Sequence, residues 1–96
     1  MTIEVHDNPA ENRYEALVDG QLAGIAVYGL GADAIVFLHT EVADAYEGQG
    51  VGSALARGAL DDVRAKNERD VVPLCPFIKS WIEKHPDYQD LLHRRS

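Results

Sequence analysis

Cysteine is almost absent: Cys75 is the only one in 96 residues. A single thiol excludes an internal disulfide framework and suits a reducing compartment. Basic residues are scarce too, 9 Lys and Arg against 16 Asp and Glu, for a formal net charge of −7. A general nucleic-acid binder needs a basic face for phosphates, so that class is set aside. No apolar run reaches the length of a membrane span, and the start of the chain lacks a charged stretch followed by an apolar one. A soluble, cytoplasmic protein is therefore expected. His, Cys, Asp and Glu do not recur at metal-ligand spacing, so no metal is expected, and His6, His85 and His93 read as loop or surface residues.

What is present suffices for one small core. Hydrophobic residues make up 46% of the chain, and 1–96 reads as a single domain without repeat, linker or low-complexity stretch. Ile3 and Val5 alternate with Glu4 and His6, as in a first strand. Tyr14, Ala16 and Val18 share one face of a second, and Asp19-Gly20 then separates it from the apolar run Gln21–Gly29. Two strand-like runs joined by Asp-Gly predict a hairpin. Ala34–Val42 is nearly continuous apolar sequence, as in a central strand covered on both faces, with His39, Thr40 and Glu41 near its end.

The chain is organised around the stretch that follows. Gly48-Gln49-Gly50-Val51-Gly52 joins that strand to a helix, on which Gly52, Leu55, Ala56, Ala59, Leu60 and Val63 fall on one face. Arg57, Asp61 and Arg64 lie on the other, with Arg57–Asp61 and Asp62–Lys66 at i,i+4 spacing; the helix should end near Asn67. Glycines let the backbone turn so that several N–H groups converge, and the helix adds its unpaired first-turn amides and positive dipole end. The combination predicts a phosphate or pyrophosphate seat; the alternative is a plain tight turn. Asp70–Cys75 reads as a short strand that parts from a neighbour near Pro73. Pro76 starts a second helix with Phe77, Ile78, Trp81 and Ile82 on its apolar face, and His85-Pro86 ends it. Tyr88, Leu91 and Leu92 should dock back, with residues 93–96 a solvated tail. The order β-β-β-β-α-β-α gives an α/β (α+β) fold, a mixed and mostly antiparallel sheet of about five strands with a helix on each side.

The run Glu47-Gly48-Gln49-Gly50-Val51-Gly52 resembles the acyl-CoA signature [QR]-x-x-G-x-[GA] of the GNAT superfamily of N-acetyltransferases, with Glu at the first position. Val72-Pro73-Leu74-Cys75-Pro76-Phe77, continuing through Trp81-Ile82-Glu83-Lys84-His85-Pro86-Asp87-Tyr88, is similar, together with His39-Thr40, to a subfamily of very short, single-domain members. The resemblance covers about residues 3–92. It implies acetyl-CoA as donor and a primary amine, on a protein or a small molecule, as acceptor. It also implies that the amides of Gln49, Gly50, Val51, Gly52 and Ser53 hold the pyrophosphate, that the Val42 backbone pairs with the pantetheine arm, and that Phe77 and Trp81 complete the donor site. The chain lacks room for the helices that cover the acceptor in most relatives, so an open acceptor site follows, on a monomer or weak dimer.

Acetyl transfer needs a neutral amine, a polarised thioester carbonyl and a proton for the departing thiolate. Relatives often use a Tyr on the last helix as the acid. The nearest equivalent here is Trp81, whose indole N–H is no practical acid; Tyr88 is an alternative. Cys75 stands at a strand end before a helix start, a place that can activate a thiol, with His39 as its base if their strands adjoin. The opposing reading makes Cys75 a small buried hydrophobe and His39 a structural histidine. Glu47 would oppose phosphates and is expected to point away. A non-catalytic acyl-CoA-binding or partner-recruiting module is the competing function.

Overall fold

A computed structural model describes residues 2–92; the expectations for His93 and the tail lie outside them. Strands β1 (Ile3–Asn8), β2 (Arg13–Val18), β3 (Gln21–Leu30) and β4 (Ala34–Val42) are followed by helix α1 (Val51–Lys66), strand β5 (Asp70–Pro73) and helix α2 (Pro76–Glu83). The sheet runs in chain order, antiparallel up to β4 and parallel between β4 and β5. It is the mixed, mostly antiparallel five-stranded sheet that the element order predicts.

Local chemistry explains the joints. Asp19 (φ 49°) and Gly20 (φ 84°) both take left-handed conformations, which the tight β2–β3 hairpin requires. Asn67 closes α1 in the same region (φ 49°), its N–H donating to the Val63 carbonyl at 3.1 Å. Alternate residues of the strands, Tyr14, Ala16 and Val18 among them, face one core with Leu55, Ala56, Ala59, Leu60 and Val63 of α1.

The helices share one face of the sheet rather than taking one each. α1 crosses β1–β3, and α2 lies beside it over β4 and β5, with Phe77 against Gly52 and Trp81 bonded to Ser53. β4 is accordingly covered on one face, not two. Ile35 and Phe37 are buried, while Leu38 is 48% exposed. The short final segment docks back as expected: Tyr88 and Leu91 are buried, and Leu92 forms a parallel bridge with Val71.

A polar brace holds the far end of α1. The Tyr14 hydroxyl donates to Asp62 at 2.6 Å and the Tyr28 hydroxyl to Asp7 at 2.6 Å, while Lys66 bonds both carboxylates at 2.9 Å. The Asp62–Lys66 pair is thus one the i,i+4 spacing foretold. Burial first, then the Asp7 carboxylate, pushes the Tyr28 hydroxyl up to about 12; burial and Asp62 push Tyr14 up as well. The carboxylates of Asp7 and Asp62 also hold Lys66 above its ordinary value. Each folded-state value exceeds the unfolded one, so this stability is complete below pH 10 and is lost as pH rises through about 12. The urea midpoint should fall over that window, and Tyr28→Phe should flatten the fall. An unchanged midpoint up to pH 12 would contradict the brace.

Candidate active site

The glycine loop leaves β4 through a 3-10 turn at Asp44–Tyr46 and enters α1. Gly48 (φ 79°) and Gly50 (φ 81°) are both left-handed, and a Cβ built on either would meet nothing within 4 Å. These glycines serve the backbone turn, and the space before them is open. The first helical bond runs from the Ala54 N–H to the Gly50 carbonyl at 3.0 Å. The amides of Val51, Gly52 and Ser53 precede it and have no intrahelical acceptor, and no side chain caps the helix. They point their donors and the positive dipole end at one place, as an anion requires.

Around that place lies a concavity of about 340 Å³, bordered by Val42, Gly50, Val51, Gly52, Ser53, Phe77 and Trp81 among others. The expected donor residues are brought together here, with one exception. Gln49 does not border the pocket; its N–H donates to the Tyr46 carbonyl at 3.4 Å and its side chain to the Ala45 carbonyl at 3.2 Å. It shapes the loop instead. Tyr46 borders the pocket without having been singled out in the sequence; its place before the glycines was the available signal. Glu47, an exposed residue, is also among those that border it.

Trp81 is clamped. Its indole N–H donates to Ser53 Oγ at 3.0 Å, His85 stacks on it at 3.8 Å, and the Arg57 guanidinium lies 5.3 Å from its ring centroid. His85 is therefore packed rather than a loose surface histidine, and its Nδ1 contacts the Trp81 carbonyl at 2.6 Å. Arg57 does not form the expected pair with Asp61. It donates to the Tyr88 hydroxyl at 3.2 Å, which itself donates to Asp61 at 2.7 Å. Tyr88 is held as a docking residue, and the bond to Asp61, with burial, raises its pKa.

β4 and β5 pair from Ala34–Asp70 to Phe37–Pro73, and the Cys75 N–H still reaches the Phe37 carbonyl at 2.9 Å. Beyond that point β4 has, among the described residues, no strand on its β5 side, the separation expected at Pro73. Ala43 donates to Ala23 across the β3 side at 2.8 Å. By antiparallel alternation the backbone groups of Val42 and Thr40 point the other way, into the gap.

At the mouth of the gap Cys75 is 3% exposed, with Sγ 3.2 Å from Thr40 Oγ1. His39 is not its partner. The β3–β4 register skips Leu38, so that Phe37 opposes Tyr28 and His39 opposes Val27. This bulge inverts the alternation, turns Thr40 toward the helices and puts His39 on the bare face of the sheet. There its Nε2 lies 3.5 Å from Glu41, both side chains more than 60% exposed. The expected Cys75–His39 dyad is thus replaced by a Cys75–Thr40 contact. Among the described residues, no three His, Cys, Asp or Glu side chains are placed to hold a metal ion.

A five-stranded mixed sheet, with a glycine loop between its fourth strand and long helix and a parting fifth strand, is the architecture that the GNAT resemblance implies. The NMR solution structure of a GCN5-like protein from Staphylococcus aureus superposes with a TM-score of 0.70 at 26% identity, over 97% of this chain and 90% of that one. A ribosomal-protein-alanine N-acetyltransferase from Brucella melitensis biovar Abortus 2308 shares the fold alone, with a TM-score of 0.57 at 20% identity over 88% and 62% of the two chains. The model of the GCN5-related N-acetyl-transferase family matches residues 13–91, and this chain belongs to that family. It is 38% identical to Protein NATD1 of Gallus gallus over 55 residues, which are 57% of this chain and 49% of the relative. With Protein NATD1 of Bos taurus the figures are 42% over 48 residues, 50% and 42%. The matched stretch thus spans less than half of these curated relatives.

Proposed function

We propose that this chain transfers an acetyl group from acetyl-CoA to a primary amine. The observation that carries the reading is the open pocket at the uncapped start of α1, where separate segments of the chain converge beside the β4–β5 gap. The amides of Val51, Gly52 and Ser53 would hold the pyrophosphate, and the outward backbone groups of Val42 and Thr40 would align the pantetheine arm. Phe77 and Trp81 form the apolar wall. Acetyl-CoA supplies an acetyl group activated as a thioester. The acceptor nitrogen gains a bond to the acetyl carbon, the carbon–sulfur bond breaks, and one amine proton is surrendered while the thiolate takes one up.

Direct attack is favoured over an acetyl-cysteine route, because Cys75 is buried and its neighbour is a hydroxyl rather than a base. Cys75→Ser should therefore change kcat/KM by no more than about threefold, whereas loss of a true nucleophile costs on the order of 1000-fold or more. Intact-protein mass spectrometry after mixing with acetyl-CoA tests both points. A 1:1 complex under native conditions, lost on denaturation, supports the donor site and direct transfer. An acetyl adduct that survives denaturation and disappears in Cys75→Ala would establish the covalent route instead. If neither a complex nor an adduct forms, the proposed function is overturned. The non-catalytic module has one observation behind it: the hydrogens of Trp81 and Tyr88 are committed to Ser53 and Asp61, which leaves the usual acid without a counterpart. Binding of CoA without CoA release across a panel of amines would select that reading.

A further inference from the structure

The pocket before α1 has an unusual charge for an anion seat. Among the described residues that border it, Glu47 alone is charged, and its charge is negative. The cations of α1 are engaged elsewhere. Arg57 lies over Trp81 and bonds Tyr88, Arg64 is paired with Asp90 at 2.8 Å, and Lys66 is held between Asp7 and Asp62. Attraction for phosphate at this seat comes from three backbone amides and a helix dipole, which act within one turn of the helix end. Glu47, exposed at the rim, adds a negative charge beside those amides on a chain of net charge −7, which disfavours further anionic groups on a ligand seated there.

We propose that Glu47 determines donor specificity: the site recognises a thioester donor by its pantetheine arm and pyrophosphate and discriminates against the 3′-phosphate of CoA. The donor class is then acyl-pantetheine nucleotides in general, with 3′-dephospho-CoA thioesters bound and used at least as well as acetyl-CoA. This rests on the reading that the Val51–Ser53 amides hold the pyrophosphate. The physical reason is the sign of the field. Where cations line a phosphate site, added salt weakens binding; where a carboxylate does, salt screens a repulsion and binding holds or tightens.

The test is titration calorimetry and acetyl-transfer kinetics on the whole chain with acetyl-CoA and acetyl-3′-dephospho-CoA, from about 20 to 200 mM NaCl. The variants are Glu47→Gln and Glu47→Arg. Glu47 is exposed and its backbone N–H, not its side chain, bonds Asp44, so both variants should keep the fold, as circular dichroism would verify. For the natural sequence, the dephospho donor should bind as tightly as acetyl-CoA or a few-fold tighter, with an affinity for acetyl-CoA that does not fall with salt. Glu47→Gln should tighten acetyl-CoA about three- to tenfold at low salt, and Glu47→Arg should make acetyl-CoA the preferred donor with an affinity that falls as salt rises. A tenfold preference of the natural protein for acetyl-CoA that weakens with salt, or a Glu47→Gln variant with unchanged affinity, would overturn the assignment. Binding of neither thioester by any of the three proteins would overturn the donor site along with it.

Discussion

Gly50→Asp should abolish CoA binding, at least about 100-fold by calorimetry, while the protein stays folded. Two effects add at this position. The new side chain would occupy the open space before the amides of Val51–Ser53, and its carboxylate would stand where the pyrophosphate is proposed to sit. Two unit charges about 4 Å apart in a partly screened site repel by about 4 kcal/mol, more than the loss requires. The fold should survive because nothing lies within 4 Å of a Cβ built at Gly50, so the cost to the free protein is the left-handed backbone alone. Asp tolerates that region better than most residues, at about 1 kcal/mol. Gly20→Asp is the matched control: Gly20 has nearly the same φ, equally open surroundings and a place in the β2–β3 hairpin. It should leave CoA affinity unaltered. Retained affinity in Gly50→Asp would refute the seat, and equal losses in both variants would assign the effect to backbone strain.

Gly58→Val should cost about 3 kcal/mol of stability, a drop in Tm of more than about 10 °C for a domain this size. Gly58 lies in the middle of α1, where valine ordinarily forms helix somewhat better than glycine. Packing reverses the sign. A Cβ at this site would lie 2.6 Å from Val5 Cβ and 2.9 Å from both of its methyl groups. Both Cβ atoms are fixed to backbone, so no rotamer change relieves the overlap; the helix must lift from β1. Gly58→Val with Val5→Gly removes one of the two, and the double variant should be less destabilised than the sum of the singles by more than about 1 kcal/mol. A single Gly58→Val variant within about 0.5 kcal/mol of the parent would show that α1 does not approach β1 so closely. A lifted α1 would also displace its first turn, so weaker CoA binding should accompany the loss.

The parts of this fold that were legible in the sequence rest on chemistry within a few residues. Asp19-Gly20 announced its hairpin because few other pairs enter two left-handed positions in succession. The glycine loop and the start and stop of α1 were readable for the same reason, and so was the break at Pro73, where a ladder donor is missing. Several of the expected relationships failed, and for β4, Arg57 and His39 a distant segment decided the outcome. β4 looked buried on both faces because its sequence is apolar throughout; its second face is bare because α2 joins α1 on the first. Arg57 was spaced to pair with Asp61, but Tyr88, 31 residues away, docks against both.

Gln49 sits inside the signature, yet its amide and side chain turn back onto the preceding 3-10 turn. His39 is the plainest case. Strict alternation from Ile35 and Phe37 would carry His39 to the helix side and toward Cys75. One extra residue at Leu38 in the β3–β4 ladder inverts the parity and delivers Thr40 there instead. The sequence by itself determined the elements, their order, the glycine loop and the strand break, because local backbone preferences act over a few residues. Only the tertiary structure decided which face each side chain occupies, which partners hold the cations of α1, and that Glu47 borders the pocket, because register and packing depend on strands and helices far apart in the chain.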